Sequence, residues 1–180
     1  MDLDYALLQL GLLVLQSLWF IAPAYAANAF PPLLKGRKPI DSGMKFGKYR
    51  VFGDGKTIEG TMGGIAFGIF FGFIQIYFQT MIPAELGLLQ MTLPIITLLS
   101  VGAILGDLVN SFFKRRFGIQ RGERVSIINR LDFLFGALIL SYPVVRIGWE
   151  YVLILLIITP IMHKLANLLA FALNIKKVPY

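Results

Sequence analysis

Asp107, Asn110, Ser111 and Lys114 stand three, four and seven residues apart from the first of them, so a helix running through them presents all four on one face. A second acidic residue, Asp132, follows Asn129 by three and shares a face with it on a further helix. Between the two carboxylates runs a cationic stretch: Lys114, Arg115 and Arg116, then Arg121, Arg124 and Arg130. Paired carboxylates beside amide and hydroxyl oxygens suit a hard cation. Mg²⁺ takes one or two carboxylates and completes its shell with water and substrate phosphates. The surrounding cations would neutralise a polyphosphate during displacement. The plain alternative is a salt-bridged face anchoring helix ends at a membrane surface. On spacing alone both readings stand.

A second polar segment, residues 28–60, is rich in Gly, Pro and Lys. Its Gly55-Lys56-Thr57 invites a phosphate-loop assignment, which fails because the required first glycine is Arg50 and no βαβ unit surrounds it. What survives is physical: glycine-flexed backbone N–H groups and Lys56 lie just before a helix start, a natural place for phosphate. A loop of this length in so small a chain predicts an ordered, substrate-covering segment.

Other chemistries are excluded. The chain has no cysteine, so disulfides and thiolate-held zinc or iron–sulfur sites are ruled out. Its one histidine, His163 beside Lys164, cannot form a histidine cluster and reads as structural or interfacial. The net charge of +7 could suggest nucleic acid. However, the basic residues interleave with apolar runs and gather on one side, which fits topology signalling and anionic lipid. No nucleic-acid partner is expected.

These residues must be positioned by membrane helices. The chain is 57% hydrophobic with a mean hydropathy of +0.72, against about 45–50% apolar for ordinary soluble domains. Five apolar runs predict an all-α, polytopic integral membrane protein of about five transmembrane helices. The spans are 5–27, 61–82, 86–105, 127–145 and 151–173, in a single membrane domain over 1–180, with polar loops 28–60 and 106–126 forming the site. The acidic Met1-Asp2-Leu3-Asp4 start and the length of the first run argue for a retained helix over a cleaved signal. Lys and Arg crowd both long loops and the tail. The positive-inside rule therefore places those loops and the C-terminus in the cytoplasm and the N-terminus outside. Gly60, Gly64, Gly68 and Gly72 form a bare stripe suited to close helix packing. Pro94 and Pro160 are expected to interrupt the third and fifth spans.

At these residues the chain resembles a known family. The block Gly106–Phe133, with Ser111-Phe112-Phe113-Lys114-Arg115-Arg116, Arg121-Gly122 and Leu131-Asp132-Phe133, is similar to the CTP-dependent phosphatidate cytidylyltransferases, and most similar to their small archaeal branch. The first loop resembles that branch in Asn28-x-x-Pro31, Gly36-x-x-Pro39-Ile40-Asp41 and Arg50-x-x-Gly53-Asp54-x-Lys56-Thr57. One departure stands out. The family's second acidic motif usually carries two aspartates three apart, and here the first is Asn129.

The resemblance implies attack of a membrane lipid phosphate on the α-phosphorus of CTP, with pyrophosphate leaving and Mg²⁺ as cofactor. For the archaeal branch the acceptor is 2,3-di-O-geranylgeranylglyceryl 1-phosphate and the product CDP-archaeol. It further implies that Asp107, Asp132 and Asn129 hold the metal and that Lys114, Arg115, Arg121 and Arg130 neutralise phosphate. Asn28, Arg50, Lys56 and Thr57 would close over CTP, with Ser111 contacting metal or phosphate and Arg116 extending to the headgroup level. An attacking phosphate is already ionised, so alignment and charge neutralisation suffice. The competing readings are a small membrane transporter, which normally carries a repeat and midplane charges, and a non-catalytic membrane assembly protein. The oligomeric state is not legible in the sequence.

Overall fold

In the computed structural model, residues 3–34, 36–119 and 131–172 are described, 169 and 170 as backbone only. The apolar runs become helices α1 (Leu3–Ala29), α3 (Ile58–Phe78), α4 (Leu93–Arg116), α5 (Asp132–Ser141) and α6 (Trp149–Ala172). The first polar loop holds a short helix α2 (Pro31–Leu34) and a two-stranded hairpin, β1 (Lys45–Phe46) against β2 (Tyr49–Arg50). Among the described residues, four stretches are long and apolar enough to cross a bilayer: Leu3–Leu34, Ile58–Met81, Leu93–Arg116 and Trp149–Leu168. At ten residues α5 is shorter, about 15 Å long against a hydrocarbon core of about 30 Å.

The bundle is built on close approaches. Phe20, Ile21 and Ala24 of α1 bury against Ile96, Leu99 and Ala103 of α4, Leu134 and Ala137 of α5, and Leu155 of α6. The glycine stripe of α3 faces inward as its spacing predicts. A Cβ on Gly68 would lie 2.5 Å from Ser100 Oγ and 2.7 Å from the Pro23 carbonyl oxygen. Pro23 sits inside α1 and so leaves the Trp19 carbonyl without its helical donor. Gln75 of α3 supplies one instead, its Nε2 donating to Trp19 O at 2.7 Å. Large apolar side chains such as Phe70, Phe73, Ile139 and Ile157 remain exposed on the outer faces, as a lipid-facing surface requires.

Two of the expected spans need correction. The third does not begin at Leu86. A 3₁₀ turn at Ala84–Leu86 ends at Gly87, and the chain runs without helix to Leu93. That stretch is tied down by Trp19 Nε1 donating to Leu89 O and by Gln79, which bonds both the N–H and the carbonyl of Met91. Pro94 therefore starts α4 instead of interrupting it. In a first turn its missing N–H has no helical acceptor to lose. The fourth expected span narrows to α5, Asp132–Ser141, with Leu131 at its N-cap and Tyr142 at its C-cap, while residues 127–130 lie outside the described residues. Pro160 does lie inside α6, which continues through it.

Candidate active site

Lys56 and Thr57 are fixed by a strand-like pairing within the first loop. Ile40 N–H donates to Lys56 O at 2.8 Å and Ile58 N–H to Lys38 O at 2.8 Å, about the bridge between Pro39 and Thr57. The Thr57 hydroxyl then caps α3, accepting from Gly60 N–H at 3.1 Å. Gly36 leaves room for that cap, since a Cβ there would stand 2.2 Å from Thr57 Oγ1. Lys56 reaches across to α4 and pairs with Asp107.

Asp41 organises the rest of the loop. It is buried and accepts from Arg50 and from the N–H groups of Gly43, Phe52 and Gly53. Arg50 also pairs with Asp54. Burial alone would push the Asp41 carboxyl up, but the Arg50 guanidinium and these three amides outweigh it and hold it well below the usual carboxylate range. Its contribution to loop stability is therefore fully present above the unfolded value, near about pH 4, and drains away as pH falls through the depressed folded value. Protection of the Phe52 and Gly53 amides from hydrogen exchange, corrected for intrinsic rates, is expected to hold from pH 7 to pH 5 and to decline only below about pH 4.

The loop docks on α4 through arginines. Arg116 lies between the rings of Phe46 and Phe112, 5.0 and 4.9 Å from their centroids, and donates to the carbonyls of Phe46, Tyr49 and Arg50. The expectation that Arg116 extends to the headgroups is overturned: carbonyls of the hairpin offer a planar cation better-defined partners. Arg115 donates to Phe52 O and Ile119 O. Arg116→Ala is expected to free the hairpin, raising protease cleavage near Gly47 at least tenfold. Arg116→Lys should restore little, because it keeps the charge but loses the fork and the stacking.

The second carboxylate arrives with α5. Asp132 opens that helix and accepts from Asn110 Nδ2 at 2.5 Å and from Phe133 N–H at 2.7 Å. It lies within electrostatic reach of Asp107, and Lys114 within reach of both carboxylates. The helices meet closely here, a Cβ on Gly106 standing 2.2 Å from Asp132 O. Ser111 is buried on α4.

A cleft of about 830 Å³ opens among these elements. Lys56, Thr57, Asp54, Asp107 and Asn28 supply polar and charged lining on one side and Tyr25, Thr159, His163 and Asn167 on another, with Pro31, Leu33, Ile104, Leu108, Phe133 and Met162 among the apolar lining. Of the residues singled out in the sequence, Asn28, Lys56, Thr57 and Asp107 line this cleft, while Asp132, Ser111, Lys114 and Arg115 cluster on the adjoining part of α4 and α5. Arg50 turns to Asp41 and Asp54. Arg121, Asn129 and Arg130 lie outside the described residues. Sequence reasoning named Asp41 and Asp54 as motif positions without a role and missed Tyr25, Thr159 and Asn167, and His163, read as structural or interfacial, also lines the cleft.

Among the described residues, no group of three or more His, Asp or Glu gathers into a metal-binding cluster. Two carboxylates and an amide still fit Mg²⁺, which leaves most of its shell to water and phosphate.

The sequence profile of the CarS-like CDP-archaeol synthases matches residues 10–180. The chain belongs to that family. It is 44% identical to the CDP-archaeol synthase of Thermococcus gammatolerans over 91% of this chain and 95% of that one. It is 42% identical to the enzyme of that name from Pyrococcus abyssi, over 93% and 98%. A solved structure, described as an intramembrane enzyme for archaeal membrane lipids biosynthesis, superposes with a TM-score of 0.73 at 32% identity, covering 86% of this chain and 94% of that one. The chain is thus a membrane protein of the same helical architecture as that enzyme. Family membership sets aside the transporter and assembly readings.

Proposed function

We propose that the chain transfers the cytidylyl group of CTP to 2,3-di-O-geranylgeranylglyceryl 1-phosphate, releasing pyrophosphate and forming CDP-archaeol. The observation that carries this reading is the cleft itself, in a chain of this family. Phosphate-binding groups, Lys56 and Thr57, line it together with the carboxylate of Asp107, while much of its remaining lining is apolar. Such a cavity suits a polar nucleotide meeting an amphiphile.

An oxygen of the lipid phosphate attacks the α-phosphorus, the bond to the bridging oxygen of the β-phosphate breaks, and pyrophosphate departs with that oxygen. The attacking group is already an anion. The protein's task is to bring two anions into line and to offset their repulsion. Asp107 and Asp132, steadied by Asn110, would hold Mg²⁺, with Asn129 assisting. When bound, the ion supplies charge neutralisation at phosphate oxygens. Lys56 and Lys114 offset the triphosphate charge. Arg115, Arg121 and Arg130 serve the nucleotide or lipid phosphate, with Ser111 at the metal or phosphate. Asn28 and Thr57 contact CTP in the cleft, and Arg50 acts through the loop that carries them. Both polar loops lie on the cytoplasmic side by the distribution of Lys and Arg, so CTP enters from the cytosol and the lipid from the bilayer.

Purified protein in liposomes, given labelled CTP and the lipid phosphate, should move label into the lipid fraction only when Mg²⁺ and the acceptor are both present. Label transfer in excess EDTA would overturn the metal assignment, and transfer without acceptor would overturn the reaction.

A further inference from the structure

The hairpin of the first polar loop holds apolar side chains in the open, away from the cleft. Phe46 and Tyr49 are cross-strand partners, so their rings leave one face of the ribbon. Met44, two residues before Phe46, shares that face. All three are exposed, Phe46 by 66%. Lys45, on the other side of its strand, and Lys48, in the turn, flank them and are exposed as well. Residues 42–50 contain no Asp or Glu, and neither do residues 112–119 at the end of α4. The hairpin surface is thus apolar, aromatic and of one sign of charge.

Its depth relative to the bilayer follows from α4. Leu105, Val109, Phe113 and Phe117 recur every four residues and are all exposed, as the lipid-facing stripe of a membrane helix requires. The 24 residues of α4 extend about 36 Å against a hydrocarbon core of about 30 Å, so its last turn emerges at the headgroup level. The hairpin is held at that turn. The rings of Phe46 and Phe112 lie 6.4 Å apart, and a Cβ on Gly118 would stand 3.1 Å from the Tyr49 hydroxyl. The guanidinium of Arg116 is taken up by hairpin carbonyls, so the cations that the hairpin turns outward are Lys45 and Lys48. The exposed face therefore continues the stripe of α4 at the depth where aromatic rings and lysines anchor to a bilayer.

We propose that the hairpin is a membrane-docking element. Met44, Phe46 and Tyr49 seat in the interfacial layer of the protein's own bilayer, and Lys45 and Lys48 bind the phosphates of its anionic phospholipids. Lysine stems are long enough to lie along apolar surface while their charges reach the headgroups. The rings alone would accept any bilayer, whereas each lysine favours an anionic surface about fivefold. Through Arg50 and Asp41 the same hairpin is tied to Phe52 and Gly53, just before Lys56 and Thr57. Docking would steady the loop that borders the cleft, whichever reaction the cleft performs.

The chain has no cysteine, so Met44→Cys gives a single site for an environment-sensitive fluorophore. The labelled full chain would be placed in phosphatidylcholine liposomes with and without phosphatidylglycerol, and quenched by a lipid carrying a nitroxide near its headgroup. The ratio of lipid-quenched to solvent-exposed label is expected to rise with phosphatidylglycerol. In those anionic liposomes it should fall about fivefold for Lys45→Gln and about fivefold for Lys48→Gln. High salt should reproduce the fall without a substitution, which covers a variant that fails to accumulate. A label exposed to solvent in both lipids would overturn the docking, and equal quenching in both would overturn the assignment to anionic lipid. A signal that follows the protein-to-lipid ratio instead of lipid charge would overturn it too, and assign the face to a second copy of the chain.

Discussion

Asp107→Ala is expected to lower turnover about 10³-fold, the scale seen when a preorganised electrostatic group is removed from an active site. Asp107 lines the cleft, and it also receives Lys56. Removing it therefore takes away the oxygen pair proposed to hold Mg²⁺ and the ion-pair partner of Lys56. Asp132→Ala should act in the same direction with a smaller loss, because Asp132 is turned toward Asn110 and the start of its own helix. Both variants should remain in the membrane at wild-type levels, which immunodetection checks. Asp107→Asn separates charge from shape. If the account holds, it recovers the fold and the cleft but little of the turnover. Wild-type turnover in Asp107→Ala would show that the reaction does not run through this carboxylate.

Gly106→Val should be nearly as damaging without touching a substrate group. The glycine precedes Asp107, and a side chain there meets the Asp132 carbonyl oxygen at 2.2 Å. On the facing helix a Cβ on Gly136 would stand 2.2 Å from the Gly102 carbonyl oxygen and 2.7 Å from Gly106 Cα. The two helices touch backbone to backbone at three glycines, and this contact sets the separation of the two carboxylates. A valine would push α5 away by an ångström or more, and a displacement of about 1 Å at a reacting centre costs about 10²-fold in rate. Turnover in Gly106→Val and Gly136→Val is expected to fall by about that factor, with CTP binding weakened less than turnover. Equal loss in both would point to unfolding, which thermal melting of the purified variants distinguishes.

Much of this site was legible in the sequence because its information is local. The spacing of Asp107, Asn110, Ser111 and Lys114 is a helix property, and α4 does run through all four. The glycine stripe of α3 and the distinctive run around Lys56 and Thr57 could be read in the same way. Pro94 was misplaced because a proline at a helix start and one at a kink differ only in what precedes them, and the helix-breaking stretch before Leu93 contains no strong turn signal after Gly87. Arg116 was misread for a different reason. Its partners, the carbonyls of a hairpin some seventy residues earlier, are tertiary and leave no mark on local pattern. The role of Asp41 was hidden for another reason: besides Arg50 its partners are the backbone amides of Gly43, Phe52 and Gly53, which no side-chain pattern reveals. The Thr159, His163 and Asn167 row was within reach of a four-residue periodicity, but only the cleft shows that the row faces a cavity and not lipid.

The central claim is that a lipid phosphate attacks the α-phosphorus of CTP, and following two labels tests it most directly. The reaction would be run twice in liposomes with Mg²⁺ and digeranylgeranylglyceryl phosphate, once with CTP labelled at the α-phosphate and once at the γ-phosphate. The account predicts α-label in the lipid and γ-label in pyrophosphate, in equal amounts and only with acceptor present. Recovery of γ-label on the lipid, or release of both labels without lipid product, would contradict it.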